Sequence, residues 1–471
     1  MRHSVSPGSE FNAWDAFIHA LGVLNAFVET GRLREYQSRL LNCGEVVLPS
    51  PYSGRPVAAW SSVLVRDRIG YWFGEETPFW LFTGALQDGY PLLDLVTRGE
   101  VIDCDSDVPR RFQRYQPLTS AETAMLASVE KRSPQIAHDQ HITATLLIGH
   151  PNFAHHMWNE LSGLEQWLNT ASAEQIEKVR VVASAEPLGA LTDIFPSLLS
   201  AEFNRTARFD FSAGSPVAPA LVRAGSRIVT HRMRAKICGL STGRKHSAAV
   251  DDVVAAIKGA WPRVWISVRL DSRTPDNQEE FLLEVLRGIF VSYPNAAVVF
   301  DGFSFPENFF ADTRMVALRE AFVARNSRTA EFIALLSRQA AKEIGQDIAS
   351  RIFSVSGLTL LEAISIGGHC DYYVCHPGTL QHKIAWLWNI PGFIHGNGLG
   401  PSQQNWYQAQ VEEGRRPDVL PPEFSVVSSP PGQGMRAVAR NFNYRIVNAR
   451  GAAEAVLAAM TKQLQEDGDR P

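Results

Sequence analysis

Side chains that can move protons are concentrated in the segment Gly149–Glu160, GHPNFAHHMWNE. If this segment is helical, His156 and Glu160 are four residues apart on one helix face, and His155 pairs in the same way with Asn159. A carboxylate beside an imidazole fixes the tautomer of the ring and raises its basicity, which a general base needs to deprotonate a hydroxyl group. The candidate catalytic residues are therefore His156, Glu160, His155 and His150.

Two other interpretations of this segment stay open. The imidazoles could bind zinc, although the segment lacks the HExxH order of helical zinc sites and no cysteine lies nearby in the sequence. The segment could also be a capped helix with a purely structural role. No metal site is assigned from the sequence.

A second group of polar side chains follows the β-rich run Trp265–Leu270. Alternation along a strand places Ser267, Arg269 and Asp271 on one face and the apolar residues on the other. Arg269 and Arg273 could grip a diphosphate, because a guanidinium group pairs with phosphate oxygens in a bidentate manner. The alternative is a structural arginine–aspartate pair at a strand end.

The turn His376–Thr379, HPGT, follows another apolar run and opens a helix. A glycine turn in this position offers unpaired backbone N–H groups and the positive end of the helix dipole to an anion, and the Thr379 hydroxyl adds a donor. This arrangement predicts a phosphate cradle. Pro-Gly turns are also common in loops that bind no ligand.

A third strand end, Ser354–Thr359, carries backbone and hydroxyl groups that could meet a nucleobase or ribose. The alternative is an ordinary strand-to-helix turn capped by Ser356. With Asp301 at the end of a further apolar run, the candidate ligand-binding residues are Arg269, Asp271, Arg273, Asp301, Ser356, Gly357, His376, Gly378, Thr379, Gln381 and Lys383.

The second half of the chain alternates short apolar runs with amphipathic helical patterns. This alternation predicts right-handed βαβ crossovers and a doubly wound, Rossmann-like parallel sheet over residues 260–400. Asn277 and Glu280 resemble a capping box at the start of the first of these helices. Strands are predicted at Trp265–Leu270, Ala296–Gly302, Arg351–Val355, Asp371–Cys375 and Gly392–His395, and helices at Gln278–Val291, Arg314–Ala324, Thr329–Ile344, Thr359–Ile366 and Leu380–Trp388.

The first half of the chain is less regular. A helical stretch at Ala13–Leu41 precedes aromatic, β-rich runs that could form a meander or a small extra sheet. An α/β rhythm then returns at Thr143 and predicts a second, smaller Rossmann-like domain. The β-rich runs are Val57–Val65, Ile69–Phe73 and Phe79–Phe82, and the later elements are the strand Thr143–Ile148, the helix Ala154–Asn169 and the strand Val179–Ala183.

The length of 471 residues predicts two domains. The boundary is expected between Lys236 and Pro262, where polar residues precede a new helix and strand. The predicted fold class is α/β, with two Rossmann-like domains and an additional β-rich, aromatic N-terminal segment. The domains are placed at residues 1–245 and 260–450, with a terminal helix and tail at 451–471. The segment Gly398–Gly434 is expected to be a long functional or mobile loop.

The composition excludes several classes of function. A net charge of −4, without a block of lysine and arginine, argues against nucleic-acid binding. No apolar run reaches the roughly 18 residues needed to span a bilayer, so no transmembrane segment is predicted. The five cysteines are scattered along the chain, which argues against a disulfide framework and favours a cytoplasmic location.

Two stretches resemble known glycosyltransferases. The run Asn152–His156 followed by Glu160 is similar to the helix of family-61 glycosyltransferases and their bacterial polysaccharide-biosynthesis relatives in which an acidic residue follows a histidine. The stretch from Cys370 to Thr379, continued through Asn389–Gly396, resembles the donor-binding half of GT-B enzymes. In those enzymes a strand, a glycine turn, a helix and a second strand surround the nucleotide diphosphate.

The resemblance implies transfer of a sugar in an interdomain cleft, from a nucleotide-sugar donor to a hydroxyl of a glycan, lipid-linked or protein acceptor. It implies an inverting reaction with no cofactor and no essential metal. Arg269, Arg273, Lys383 and the helix start near Gly378 would then stabilise the departing diphosphate. The one literal DxD triplet, Asp103–Asp105, is interpreted as a surface loop. Homo-oligomerisation is left open.

Two other functions remain under consideration. A non-catalytic nucleotide-sugar or glycan-binding protein would keep the phosphate cradle and need no base. A sugar epimerase would share the architecture, but no GxGxxG follows the first strand of either half, so nicotinamide binding is poorly supported.

Overall fold

A computed structural model describes residues 13–26, 33–65, 68–74, 78–83, 93–97, 100–102, 119–132, 141–206, 220–429 and 441–468. The chain divides into two compact units. The first unit consists of Met1–Pro151, His155–Ala185 and Phe195–Arg227, and the second of Asn152–Ala154, Glu186–Ile194 and Ile228–Pro471. The boundary expected from the sequence lies later in the chain than the change of unit after Arg227.

The first unit begins with an antiparallel meander whose strands are neighbours in chain order from β1 to β6. Its elements are α1 (Ala13–Asn25), α2 (Glu35–Cys43), β1 (Val47–Pro49), β2 (Pro56–Val65), β3 (Arg68–Phe73), β4 (Phe79–Thr83), β5 (Leu93–Thr97), β6 (Glu100–Ile102) and α3 (Ser120–Arg132). Phe73 and Phe79 stack with ring centroids 4.7 Å apart. Helix α3 packs on Trp72 and Trp80 through Leu126. The aromatic residues therefore form the core of the predicted meander.

A parallel sheet follows in the first unit, with the order β10-β7-β8-β9. The chain runs through β7 (Ala144–Ile148), α4 (Phe153–His156), a π-helical turn (Met157–Leu161), α5 (Ser162–Leu168), α6 (Ala173–Glu177), β8 (Val179–Ala183), β9 (Glu202–Arg205) and β10 (Leu221–Val222). Every residue of β7 is buried, as expected for a central strand covered on both faces. Because β8 and β10 lie on opposite sides of β7, the carboxyl ends of β7 and β10 form a topological switch point, where open α/β sheets bind ligands.

The second unit is built on a larger parallel sheet with the order β13-β12-β11-β14-β15-β16. Numbered within the unit, this is the order 3-2-1-4-5-6 of dinucleotide-binding Rossmann folds, and its switch point lies between β11 and β14. Its elements are α7 (Leu191–Ile194), α8 (His231–Gly243), α9 (Ala248–Ile257), β11 (Arg263–Ser267), α10 (Gln278–Ser292), β12 (Ala297–Asp301), α11 (Arg319–Glu343), β13 (Ile352–Ser354), α12 (Leu360–Gly367), β14 (Tyr372–Cys375), α13 (Thr379–Ala385), β15 (Gly392–Ile394), α14 (Pro401–Gln408), β16 (Asp418–Val419), β17 (Ser425–Ser429), β18 (Asn443–Ile446) and α15 (Ala449–Gly468).

Both faces of the larger sheet are covered by helices. Val264 and Ile266 of β11 point into a core shared with α10 and α15. Trp265, between them in the chain, is fully buried in a second core shared with α9 and α12. The three central residues of the strand are all apolar because alternate side chains enter two different cores.

Several local predictions are wrong. The helices predicted at Arg314–Ala324 and Thr329–Ile344 are joined in one helix, α11, which begins at Arg319 after a 3-10 helix at Thr313–Leu318. The helix is continuous because the Asn326 and Thr329 side chains bond to carbonyls one turn earlier and stay within it. Asn277 does not cap α10; its amide bonds both backbone groups of Ile446 instead.

Two predicted turns also differ from the structure. The expected long loop Gly398–Gly434 contains α14, β16 and β17 within its described part. Thr359, rather than Ser356, is the residue at the N-cap of α12, and its backbone N–H donates to the Glu362 side chain at 3.0 Å. Short elements with little periodicity account for the first of these errors.

The predicted fold class is confirmed: the chain is α/β, with two Rossmann-like units and an aromatic, β-rich segment near the N-terminus. None of the helices in the described ranges is both long and apolar enough to cross a lipid bilayer.

Candidate functional site

The two strand ends singled out in the second half of the sequence are neighbours at the switch point of the larger sheet. Strands β11 and β14 are paired from Val264 with Tyr372 to Ile266 with Val374. Beyond the paired residues, the Ser267 hydroxyl accepts a hydrogen bond from the His376 backbone N–H at 2.9 Å and lies 3.1 Å from the His376 Nδ1. This hydrogen bond therefore holds the start of the loop after β11 next to the start of the turn after β14.

Arg273 and Gly378 are brought together at this place. Gly378 has a φ of 100° and a ψ of −149°, a backbone conformation that only glycine adopts readily. A Cβ atom at position 378 would lie 2.5 Å from the Arg273 Nη1. The guanidinium group thus lies directly against the glycine, and any larger residue would displace it.

The positive charge of Arg269 is not paired with a carboxylate of any described residue. Its Nε is buried and has no hydrogen-bond partner among the described residues. Burial, together with the charges of Arg273 and Arg325, lowers the pKa of Arg269 to about 9. Asp271, two residues after Arg269, is engaged in ion pairs with Arg325 and, at 3.7 Å, with Arg328. The arrangement favours an anion beside Arg269.

The arginine loop is held in shape by its backbone. The Gln278 side chain donates to the Arg269 carbonyl at 3.0 Å. The Thr274 backbone N–H donates to the Asn443 side chain at 3.1 Å, and Tyr444 pairs with Thr274 and Asp276 through its backbone at 3.2 and 2.8 Å. Strand β18 therefore fixes the backbone of the arginine loop, and Arg269 and Arg273 need little reorganisation to bind a ligand.

A buried group of polar rings lies in contact with the same strand ends. The His376 and His395 ring centroids are 4.3 Å apart, and both side chains are fully buried. Tyr444 joins them through its hydroxyl, 2.8 Å from the His395 Nδ1. Burial lowers the pKa of both histidines, that of His395 to about 3, so both rings are neutral at pH 7. The Nε2 atom of each ring has no partner among the described residues.

Lys383 and Asp301, both predicted to bind the ligand, are bonded to each other. The Lys383 side chain is 2% exposed, and its Nζ bonds the Asp301 carboxylate at 2.6 Å, the Gly302 carbonyl at 2.8 Å and the Ser304 hydroxyl at 3.0 Å. These acceptors use all the N–H donors that an ammonium group has. The pair ties α13 to the carboxyl end of β12 and leaves no donor for a phosphate.

The other predicted ligand-binding residues have different positions. Thr379 begins α13 directly after the glycine and is half-buried. Gln381 is buried with its amide 2.7 Å from the His382 ring. Ser356 and Gly357 follow β13, an edge strand separated from the switch point by β12, and no atom lies within 4 Å of a Cβ built on Gly357. Gly357 therefore has open space beside it, whereas the Ser356 hydroxyl is close to Asn326, at 3.4 Å from its carbonyl oxygen.

In the first unit, Glu160 lies at the switch point between β7 and β10. Its carboxylate accepts hydrogen bonds from the backbone N–H groups of Gly149 and His150, from the His156 Nδ1 at 2.7 Å and from the Arg223 Nε at 2.9 Å. Burial alone would raise the pKa of Glu160, but the charge of Arg223 and the hydrogen bond from His156 lower it well below the ordinary carboxyl range. Glu160 is therefore ionised and its charge is balanced by Arg223.

The four predicted catalytic residues are close together, but they differ in accessibility. His156 is fully buried, and its Nε2 has no partner among the described residues. His155 and His150 are half-buried, with ring centroids 4.6 Å apart. Burial, followed by the charge of His155, lowers the pKa of His150 to about 3. His155 lies 2.8 Å from the Asn159 side chain through its Nδ1.

Sequence reasoning missed Arg223, Ser267, His395 and Tyr444. Ser267 was on the predicted strand face but had no evident partner, and His395 ends a predicted strand. Nothing in the sequence places Arg223 or Tyr444 next to residues 63 and 49 positions away. The triplet Asp103–Asp105 lies outside the described residues, and within the described ranges no three His, Cys, Asp or Glu residues are grouped as metal ligands.

No protein-family model matches this chain, and no curated protein matches it. Among solved structures, it is similar to E. coli ADP-heptose LPS heptosyltransferase II, with 10% identity over 69% of this chain and 99% of that chain and a TM-score of 0.37. A glycosyl transferase family 9 protein from Veillonella parvula has 10% identity over 70% and 99%, with a TM-score of 0.34. The S. aureus MnaA–UDP co-structure has 11% identity over 75% and 76%, with a TM-score of 0.28. These likenesses are remote.

Proposed function

We propose that this chain is a GT-B-type glycosyltransferase whose second unit binds a nucleoside-diphosphate sugar. The observation that carries the proposal is the unneutralised charge of Arg269 beside Arg273 and Gly378, at the switch point of a sheet with Rossmann strand order. A diphosphate would supply the missing negative charge. Arginine suits this ligand because its fork of N–H donors matches two phosphate oxygens at once.

The remaining part of the ligand fits the same edge of the sheet. Ser356 and Gly357 lie two strands from β11, a lateral distance of roughly 10 Å at ordinary strand spacing. That distance suits the nucleoside end of a nucleoside diphosphate, with the phosphates at Arg269 and Arg273. The open space at Gly357 leaves room for a ribose or base to approach the backbone.

The first unit supplies the proposed base. A histidine of the group His150, His155 and His156 takes the proton of an acceptor hydroxyl. The acceptor oxygen forms its bond to the anomeric carbon while the bond from that carbon to the phosphate oxygen breaks, and the nucleoside diphosphate leaves with that electron pair. A single displacement of this kind inverts the configuration of the sugar.

Leaving-group stabilisation is assigned to protein cations in this proposal. Arg269 and Arg273 would neutralise the charge that develops on the diphosphate, in a site that needs little reorganisation. The proposal therefore includes no essential metal, and activity is expected to survive dialysis against a chelator. A glycan, lipid-linked or protein hydroxyl is the proposed acceptor, and cytoplasmic bacterial polysaccharide assembly is the proposed setting.

The first experiment is a thermal-shift screen against UDP-, GDP-, ADP-, TDP- and CMP-sugars. A ligand at 100 times its Kd stabilises the native state by about 2.7 kcal/mol, which is readily seen as a higher melting temperature. The proposal expects at least one nucleoside-diphosphate sugar to raise the melting temperature of the second unit. If no member of the panel does so, the proposal is wrong.

A non-catalytic nucleotide-sugar or glycan-binding protein is the second candidate function. The burial of His156 and Glu160 favours it, since neither side chain reaches solvent. Release of nucleoside diphosphate from the ligand found in the screen decides between the two. Turnover that is lost in His156→Ala or His155→Gln while donor binding persists would exclude the binding protein. Binding without any turnover by the wild-type chain would support it.

A further inference from the structure

Accessibility separates the two adjacent histidines of the first unit. His156 is 0% exposed, and its Nδ1 is bonded to the ionised Glu160. His155, on the next position of the helix, is half-buried. His155 is therefore partly exposed, whereas a reactant could reach His156 only through a rearrangement of the core. Sequence spacing alone made the two equivalent, because each has a polar partner four residues later.

The partner of His155 is an amide with a fixed orientation. Asn159 is buried, and its Nδ2 donates to the carbonyl of Ser226, in the loop after β10, at 3.2 Å. Its Oδ1 is consequently directed at the His155 Nδ1, 2.8 Å away. An amide oxygen only accepts hydrogen bonds, so the Nδ1 must carry the proton. In the neutral ring the lone pair is then on Nε2.

We infer that Asn159 is a positioning residue that holds His155 in the Nδ1–H tautomer, so that the Nε2 of His155 takes the proton of the acceptor hydroxyl. This inference rests on the proposed function. On proton transfer the ring becomes an imidazolium, whose Nδ1–H remains bonded to Asn159. Asn159 belongs to the π-helical turn Met157–Leu161, which follows the two histidines in the chain.

The geometry also explains why two neighbouring histidines differ in use. His156 is held by a carboxylate whose charge Arg223 balances, and together they join the helix to the strand ends of β7 and β10. His155 is held by a neutral amide that fixes the ring without adding charge to the site. We assign the structural role to the His156–Glu160–Arg223 group and the reactive role to His155.

Nitrogen NMR of the full chain labelled with ¹⁵N-histidine tests the tautomer without any ligand. The expected spectrum shows a protonated Nδ1 and an unprotonated Nε2 for His155. Asn159→Leu should remove this preference for His155 and leave His156, the internal control, as the Nδ1–H form. A protonated Nε2 on His155 of the wild-type chain would overturn the inference, whether or not the leucine variant folds.

Kinetics test the reactive role separately. His155→Gln should lower kcat by about 10²- to 10⁴-fold, the usual contribution of a general base. Asn159→Leu should lower kcat on the order of tenfold, because the base is kept and only its correct tautomer becomes less populated. Neither variant should change the Kd of the donor.

The two possible failures are distinguishable. If the NMR tautomer is as expected but His155→Gln turns over at the wild-type rate, the assignment of His155 as base is wrong, while donor binding by the second unit still supports the proposed function. If no nucleotide sugar binds at all, the proposed function fails, and the reactive role of His155 fails with it.

Discussion

Replacing Arg269 by methionine is expected to stabilise the ligand-free protein while removing diphosphate binding. Methionine keeps much of the length of the side chain and has no charge. Burial and the charges of Arg273 and Arg325 lower the pKa of Arg269 to about 9. An ordinary arginine has a pKa above 12. At 1.36 kcal/mol for each pKa unit, the charged form is disfavoured by up to about 5 kcal/mol in the folded protein.

Screening by solvent reduces this figure, because Arg269 is only half-buried. A gain of about 1–3 kcal/mol in the free energy of unfolding is the expected result for Arg269→Met. The sign follows from linkage: a base whose pKa is lowered by folding destabilises the folded state at every pH at which it remains charged. At neutral pH the penalty is therefore present, and the substitution removes it.

The assay compares melting temperatures with and without the nucleoside diphosphate found in the screen. Arg263→Met is the matched control, since Arg263 lies at the other end of β11 and pairs with Asp371 at 2.7 Å. The control should lower the melting temperature and keep the ligand-induced rise. Arg269→Met should raise the melting temperature and lose that rise. A ligand-free Arg269→Met protein that melts as early as the control would refute the reasoning.

Three further substitutions test the surroundings of this site. Gly378→Ala should destabilise the protein by about 1–3 kcal/mol and weaken diphosphate binding, because the new Cβ displaces Arg273. Gly189→Ala is the control: Gly189 also has a positive φ (97°), but a Cβ there would have its nearest neighbour at 3.8 Å. This control should strain the backbone without affecting binding. Lys383→Met should cost about 3–5 kcal/mol in the free energy of unfolding, because it leaves the Asp301 carboxylate buried without its cation. Burial then raises the pKa of Asp301 further, so in urea titrations the loss should be smallest at acid pH and should grow as the pH rises through that pKa. Asp301→Leu in the same chain should restore stability, and a loss that does not depend on pH would contradict this. Tyr444→Phe should cost about 1–2 kcal/mol in urea titrations, because it removes the hydroxyl that bonds His395. Diphosphate binding should be kept, because the backbone hydrogen bonds of Tyr444 to the arginine loop are unchanged. A loss of binding would contradict the role given to those backbone bonds.

The sheet of the second unit was predictable because its strands are continuous apolar runs between amphipathic helices. Val264, Trp265 and Ile266 of β11 are all apolar because they pack into two cores, one on each face of the sheet. A short continuous apolar run of this kind does not show the periodicity of an amphipathic helix. Periodicity also located the carboxyl end of β14 at Cys375, but it placed that of β11 at Leu270 rather than at Ser267. That these ends are adjacent depends on strand order, which local patterns do not encode.

Side-chain roles were less predictable than side-chain positions. Lys383 and Arg269 have the same charge and were both predicted to bind the ligand. Lys383, however, donates to three acceptors, whereas the Arg269 Nε has no hydrogen-bond partner among the described residues. The difference is set by Asp301, from a neighbouring strand, and so it is a tertiary property. Likewise, the i,i+4 spacing correctly paired His156 with Glu160 but could not show that both are buried.

The most direct test of the central claim compares a nucleoside diphosphate with the corresponding nucleoside in calorimetric titrations of the wild-type chain. If Arg269 and Arg273 hold the diphosphate, the charge-assisted hydrogen bonds of about 1.5–3 kcal/mol each should make the nucleoside diphosphate bind at least roughly 100-fold more tightly. The preference should disappear in the chain carrying Arg269→Met and Arg273→Gln. Equal affinity for the two ligands, or an unchanged preference in the double variant, would contradict the account.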